Sequence, residues 1–407
     1  MPIYRAEAFA AGDDAQTVSA WHAQPGAAAR LSPPWDPEFA GALGQWQHGH
    51  RVHDVDDGAR IEDTVQWTAP LFPWRDGVRS RVQQAIPFRH HRAVHDLGRL
   101  RPYRGLSRLR VLISGASGLV GTALTAFLSA GGHQVVPLVR SRDRPGIPWS
   151  VARAELDAAA LEGFDAVVHL AGAPISDNRW DAAERARIRD SRVDGTRLLA
   201  GALAGLQSPP RVLISGSAVG AYGDGGAAEL SEDAPLGDTF LAGVCREWEA
   251  AAQPAQAAGI RVVALRTGFV LSPRGGYLRS MLPLFRAGGG GPVGSGTQYV
   301  PWIHIDDEVA LIHWAIREPW VTGPLNASAP LPVPQVTFAR TLGRVLRRPA
   351  IAPVPAAAIR LILGRDRADE LALQGQRAVP SAALAHGFPF TFPTLEPALR
   401  HLLGRTT

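Results

Sequence analysis

From Arg110 to Gly132 the chain reads RVLISGASGLVGTALTAFLSAGG, and this segment limits the fold more than any other. An apolar strand-like run enters Gly115-x-x-Gly118-x-x-Gly121 and leaves as an Ala/Leu-rich helix. Gly115 permits a tight turn off the strand. Gly118 lets backbone amides approach a pyrophosphate, and Gly121 lets the helix pack close to the sheet. Free N–H groups and partial positive charge at the helix start complete an anion cradle over Gly115, Ala116, Ser117, Gly118, Leu119, Val120 and Gly121. The glycines alone would also suit a plain structural loop. The strand before them and a second strand beginning near Val135 favour the cradle.

Further apolar runs lie at 109–113, 135–139, 166–170, 212–214 and 262–265, with helix-prone stretches at 122–130 and 191–203. Short β-branched runs alternating with helices indicate a parallel sheet covered on both faces. The expected fold class is α/β, a Rossmann-type doubly wound parallel sheet over residues 108–330. Residues 331–407 are Pro- and Leu-rich, with helical pieces near 335–346 and 356–363, and are expected to form a small C-terminal substrate domain. Residues 1–107 are rich in Trp, His, Arg and Pro and show no clear alternation; an N-terminal α+β accessory domain is expected there.

The second strand bears on the cofactor. NAD enzymes carry an acidic residue about 20 positions after the glycines, bonded to the ribose 2′-OH. Here the strand ends in Arg140, Ser141 and Arg142. Guanidinium groups suit a 2′-phosphate, so NADP(H) is the expected cofactor; solvated surface arginines are the competing reading. Arginine is also the chain's sole strong base. The sequence contains no lysine, so all 42 Lys+Arg residues are Arg and the net charge is +5. The arginines are dispersed, and no nucleic-acid partner is expected. No apolar run approaches the roughly 20 residues of a membrane helix, and the first residues lack a signal-peptide pattern. The lone cysteine, Cys245, rules out an internal disulfide. The expectation is a cytoplasmic protein acting on a small molecule, away from membranes, with a homodimer kept open.

The order of GASGLVG, DAVVHLAGAPI, RWDAAERARIRDSRVDGT, VLISGSAVGAYGD, FLAGVCREWEAAA, RVVALRTGFVLSPRGGYL and GSGTQYVPWIHIDD resembles atypical extended short-chain dehydrogenase/reductases of the sugar-epimerase-like NAD(P)-binding kind. The tail, from NASAPLPVPQVTFARTLGRVLRRP to GFPFTFPTLEPALRHLL, resembles the small C-terminal domain of that subgroup. The resemblance spans about residues 109–404. It implies that Leu170, Ala171, Gly172, Arg192 and the stretch from Arg266 to Val270 border the cofactor. It also implies that Trp302, His304, Asp306 and Asp307 lie near the cleft, with helix capping as the other reading of the aspartates. Pieces of residues 1–107 (AWHAQPGAAARLSPPWDP, WQHGHRVHDV, QWTAPLFPW) are similar to helix-grip (START/polyketide-cyclase-like) domains, here in truncated form.

The wider superfamily uses Ser, Tyr and Lys, the last two as Tyr-x-x-x-Lys, with the lysine lowering the tyrosine pKa. Ser217 matches the serine. Leu241 and Cys245 stand where Tyr and Lys belong, and no realignment can supply a lysine. Arg192 also stands where the superfamily's usual Asn falls. Two readings follow. In one, Ser217 or Tyr222 carries protons and Arg192 supplies positive charge, giving hydride transfer on a carbonyl or nucleotide-sugar-like substrate. In the other, the fold binds NADP(H) without turnover, as a sensor or scaffold. Cys245 reads as a buried hydrophobe. His48, His50 and His53 raise a metal site, but strand alternation explains them as surface residues, and no metal is expected. The glycines at 288–291, 294 and 296 read as a flexible cleft wall or lid.

Overall fold

The structure, a computed structural model, describes residues 3–36, 46–67, 75–175 and 180–405. It divides into two compact units: Met1–Arg108 with Thr125–His133 and Pro397–Thr407, and Leu109–Leu124 with Gln134–Glu396. Residues 331–396 thus share a unit with the large sheet. Most of the QWTAPLFPW stretch lies outside the described residues.

The first unit holds strand β1 (Ile3–Ala11), helices α1 (Ala15–His22) and α2 (Ala27–Leu31), strands β2 (Trp46–Val55) and β3 (Gly58–Trp67), and helix α3 (Arg75–Leu100). The strands form an antiparallel sheet in the order β1-β3-β2. On β3 every second residue is buried, so Ala59, Ile61, Val65 and Trp67 share one apolar face, as a period of two requires. That row contains one charged residue, Asp63.

Helix α3 runs 26 residues through Pro87, in a stretch whose His, Arg and Gly content hides a helix at first sight. Its signal is nevertheless present. Val78, Val82, Ile86, Ala93 and Leu97 are buried, at spacings near multiples of 3.6. Arg30 of α2 meets Asp96 of α3 through two 2.7 Å hydrogen bonds, with both side chains almost fully buried. Such a pair holds only while both charges remain. Asp96→Ala should therefore destabilise the chain by about 3–5 kcal/mol. The double change Arg30→Met/Asp96→Leu should recover most of that loss in urea unfolding curves.

The second unit is built on an eight-stranded sheet. Along the chain come β4 (Arg110–Ser114), α4 (Leu119–Ala130), β5 (Gln134–Val139), β6 (Ile147–Ser150), β7 (Glu155–Leu156), β8 (Ala166–His169), α5 (Ala182–Ala204), β9 (Val212–Ala218), β10 (Glu229–Leu230), α6 (Phe240–Ala250), α7 (Gln253–Ala257) and β11 (Arg261–Thr267). They are followed by β12 (Phe269–Leu271), α8 (Gly276–Arg286), β13 (Tyr299–Val300), β14 (Trp302–His304), α9 (Ile305–Arg317) and β15 (Gly323–Ala327). The sheet order is β15-β11-β9-β8-β4-β5-β6-β7, parallel except for the β6–β7 pair. Strand order reverses at β4, the switch point where doubly wound sheets open a crevice at their carboxyl ends. Every expected apolar run became one of these strands. The sheet's edge strand β15 (GPLNA) has no β-branched residue to announce it.

The glycines near 290 do not form a free loop. A Cβ on Gly291 would overlap the Ala352 carbonyl, and one on Gly290 would meet the Phe285 ring. Close packing explains these glycines, which corrects the expectation of a flexible lid. Among the described residues no helix is long and apolar enough to cross a membrane.

Candidate active site

The turn after β4 has the shape its glycines require. Gly115 takes φ +71°, and a Cβ there would lie 2.8 Å from the Leu170 carbonyl carbon. A Cβ on Gly121 would overlap the Gly115 carbonyl oxygen, so only glycine lets the first turn of α4 lie on the loop. The Gly118 N–H bonds the Gly115 carbonyl at 2.9 Å. Ser117 and Gly118 are exposed and Ala116, Leu119 and Val120 partly so. The loop therefore presents an open backbone rim at a helix N-terminus.

Ser114 ties this turn to the next strand. Its hydroxyl accepts the Leu170 and Ala171 N–H groups at 3.1 and 3.2 Å, so its proton goes to His169 Nδ1 at 2.6 Å. Burial pushes the His169 pKa down to about 4 and keeps the ring neutral. Its ring also meets Trp149 edge to face. Leu170, Ala171 and Gly172 are thereby fixed at the rim. The Arg192 guanidinium lies against Gly172 and 5.2 Å from the Trp248 ring centroid, and it donates to the Ile188 carbonyl. One strand away, Arg140, Ser141 and Arg142 are exposed at the end of β5. Ser141 turns its hydroxyl to Asp143.

At the end of β9 a buried polar network appears. Ser217 donates to Glu249 Oε1 at 2.6 Å. Arg266 grips both Glu249 oxygens at 2.9 and 3.0 Å, and donates to the Tyr222 hydroxyl and the Glu232 carbonyl. Tyr222 donates onward to Asn326 at 2.7 Å. Burial alone would lower the Arg266 pKa, but these partners outweigh it and hold the group charged. Burial raises the Tyr222 pKa, with Arg266 opposing. Tyr222 and Arg266 are each about 5% exposed or less, so neither side chain opens onto solvent. Glu249 shares a face of α6 with Leu241 and Cys245, one helical turn beyond Cys245 and about two beyond Leu241. The Cys245 thiol, pushed up to about 11 by burial, bonds the Ala218 carbonyl weakly.

The PWIHIDD segment folds as β14 and the start of α9. Helix α9 begins earlier than the sequence suggested, and its cap is His304, whose Nδ1 accepts the Asp306 N–H at 3.0 Å. Asp306 and Asp307 therefore lie in the first turn and do not cap it. Asp307 accepts the N–H groups of Thr391 and Phe392 at 3.0 and 2.9 Å, and Phe392 stacks on His304. Trp302 is fully buried, its indole N–H bonded to the Leu331 carbonyl. Sequence reasoning passed over Glu308. It is fully buried, accepts a 3.1 Å bond from Thr267 at the end of β11, and is pushed up to about 8 by burial.

A model of the NAD dependent epimerase/dehydratase family matches residues 111–325. The chain belongs to that family. A domain of unknown function (DUF1731) matches residues 354–402. An epimerase family protein of Mycobacterium tuberculosis is 43% identical over 297 residues, 72% of this chain and 98% of that protein. The human epimerase family protein SDR39U1 is 40% identical over 301 residues, 73% of this chain and all of that protein. Its crystal structure (isoform 2) with NADPH is 38% identical, superposes with TM-score 0.68, and covers 72% of this chain and 99% of that one. The crystal structure of a nucleoside-diphosphate sugar epimerase from Corynebacterium glutamicum is 31% identical, with TM-score 0.81 over 98% of this chain and 90% of that one. The resemblance read from the motif order is thus borne out, and with it an NAD(P)-binding, epimerase/reductase-like chain.

Two outcomes follow from the site geometry. Gly121→Ala should weaken NADPH binding roughly tenfold or more in fluorescence titration, since about 1.4 kcal/mol is tenfold and the added carbon must displace the Gly115 carbonyl. Glu308→Gln should change how stability depends on pH. A carboxyl at about 8 in the folded chain and near 4.5 unfolded keeps its proton only when folded. The wild type therefore loses stability as pH rises from about 4.5 to about 8, and the loss levels off above. The melting-temperature difference between variant and wild type should widen over that window and then hold constant.

Proposed function

We propose that this chain binds NADP(H) and transfers hydride to or from a carbonyl or nucleotide-sugar-like substrate without a Tyr-x-x-x-Lys pair. The observation that carries the cofactor choice is at the end of β5. Where NAD enzymes place a carboxylate, this chain has two exposed arginines, Arg140 and Arg142. The human relative solved with NADPH supports the same choice. The amides of residues 115–121 would hold the diphosphate, with Arg140, Ser141 and Arg142 on the 2′-phosphate. Leu170, Ala171, Gly172 and Val270 would line the remainder.

Bound NADP(H) supplies or accepts the hydride, and the chain's own residues handle the proton. In the oxidising direction, the Ser217 hydroxyl takes the proton of a substrate hydroxyl and passes its own to Glu249, 2.6 Å away. Reduction runs the same relay backwards, returning one proton to the carbonyl oxygen. Arg266 fixes the Glu249 carboxylate, and Tyr222 acts as a positioning residue through Arg266 and Asn326. Arg192 contributes fixed positive charge beside Gly172, since a guanidinium does not act as a base near neutrality.

A second reading, cofactor binding without turnover, has its own support. The Tyr222 hydroxyl is fully engaged, and a buried thiol stands at the lysine position. One set of measurements separates them. NADPH should bind more tightly than NADH, and Arg140→Ala/Arg142→Ala should cut that preference roughly tenfold to a hundredfold, as charge-assisted bonds worth about 1.5–3 kcal/mol imply. Equal or tighter NADH binding by the wild type overturns the cofactor assignment. Turnover on a panel of carbonyl and nucleotide-sugar substrates should be lost in Ser217→Ala. Tight NADPH binding with no turnover on any of them establishes the second reading.

A further inference from the structure

The first unit contains a cluster that the reductase-like chemistry does not use. Asp63 sits on the core face of β3 between Ile61 and Val65, and it is 3% exposed. A carboxylate placed there carries a large desolvation cost unless partners offset it. Three imidazoles converge on it. His48 Nε2 and His50 Nδ1 lie 2.5 and 2.9 Å from the same oxygen, Oδ1, and His90 Nε2 of α3 lies 2.5 Å from Oδ2. The bonds from these three residues supply the partners that a buried carboxylate needs.

The backbone explains the convergence. His48 and His50 are two apart on β2, so they share a face, and His50 stands directly across from Asp63 in the antiparallel register. The ligand-type atoms of His48, His50 and Asp63 all lie within 4.8 Å of one another. His53, the third histidine of the sequence motif, points elsewhere and pairs with Glu62. Strand spacing alone showed two histidines on one face. It could not show the carboxylate on the neighbouring strand or the helix histidine beneath it.

We propose that His48, His50 and Asp63 form a binding site for a divalent transition metal, best matched by zinc, with His90 orienting the carboxylate. Two imidazoles and one carboxylate are borderline ligands that suit zinc and its neighbours and poorly suit calcium or magnesium. A tetrahedral zinc spaces its ligand atoms about 3.3 Å apart. The side chains of His48 and His50, 19% and 29% exposed, have room to reach that spacing by small rotations. The His90 bond to the second carboxylate oxygen is the kind of outer contact that fixes a ligating group. The His22 ring packs 4.4 Å from the His50 ring. The site remains open on its exposed side, so three protein ligands leave a position for water or a substrate.

The test uses the full chain, stripped with chelator and titrated with zinc chloride by calorimetry, and with Co(II) by absorption. Wild type and His53→Ala should bind one equivalent with the same affinity. His50→Ala and His48→Gln should each bind at least about tenfold more weakly, and the Co(II) band should diminish with them. Melting curves without metal establish that each variant folds; two ligand variants are used so that one that fails to fold leaves the other to decide. Zinc should also raise the melting temperature of the wild type, and that of a folded ligand variant by less at the same zinc concentration. The proposal is overturned if wild type takes up no stoichiometric zinc, if the ligand variants bind as well as wild type, or if His53→Ala loses as much affinity as they do.

Discussion

The second unit depends on one buried guanidinium. Arg266 projects from β11, beside the edge strand β15, and engages Glu249 with two bonds, Tyr222 with one and the Glu232 carbonyl with another. Removing such a group from water is costly, and the cost is offset only when its donors are satisfied. Through it, strand β11, helix α6 and the turn after β9 are held in one arrangement. Asn326 extends the network to the edge strand β15 and to the Leu230 and Val379 carbonyls. The orientation of the Ser217 hydroxyl is a local result of that larger structure.

Two acids in this unit, Glu249 partly buried and Glu308 fully buried, show how surroundings set the role of a carboxyl group. Glu249 faces Arg266 and is gripped at both oxygens. Glu308 has one recorded hydrogen-bond donor, the Thr267 hydroxyl, and burial keeps it protonated toward neutral pH. Glu308 is thereby suited to retain a proton. The two acids lie at the ends of adjoining elements, β9 with α6 and β11 with α9.

Much of this was legible in the sequence, and the failures have physical causes. Strands β4, β8, β9 and β11 are largely buried on both faces, so they read as unbroken apolar runs; β5 reads the same way although only Leu138 on it is fully buried. Strand β15 joins the edge with Gly-Pro-Leu-Asn-Ala and leaves no such trace. Helix α3 was hidden because Arg and His are spread along its length, His90 and Arg92 among its buried positions, and Pro87 lies inside it; tertiary packing overrides these local preferences. Glu249 was missed because comparison stopped at Leu241 and Cys245, one turn short on the same helical face. The resemblance placed His304 near the cleft and gave no sign that its ring caps α9, a position where Ser, Thr, Asp and Asn are preferred. Asp63 was invisible because its partners come from another strand and a helix 27 residues on.

Asp307 accepts two successive backbone N–H groups, from Thr391 and Phe392, in a fully buried setting. Pulling that segment away would strand a carboxylate in the interior, a far higher barrier than parting two exposed loops. The polypeptide at 391–392 is therefore ordered along with α9 when the chain folds, before any small molecule arrives. The conformational freedom of these residues is lost in folding, so it is not a cost left to be met when a ligand associates elsewhere on the unit.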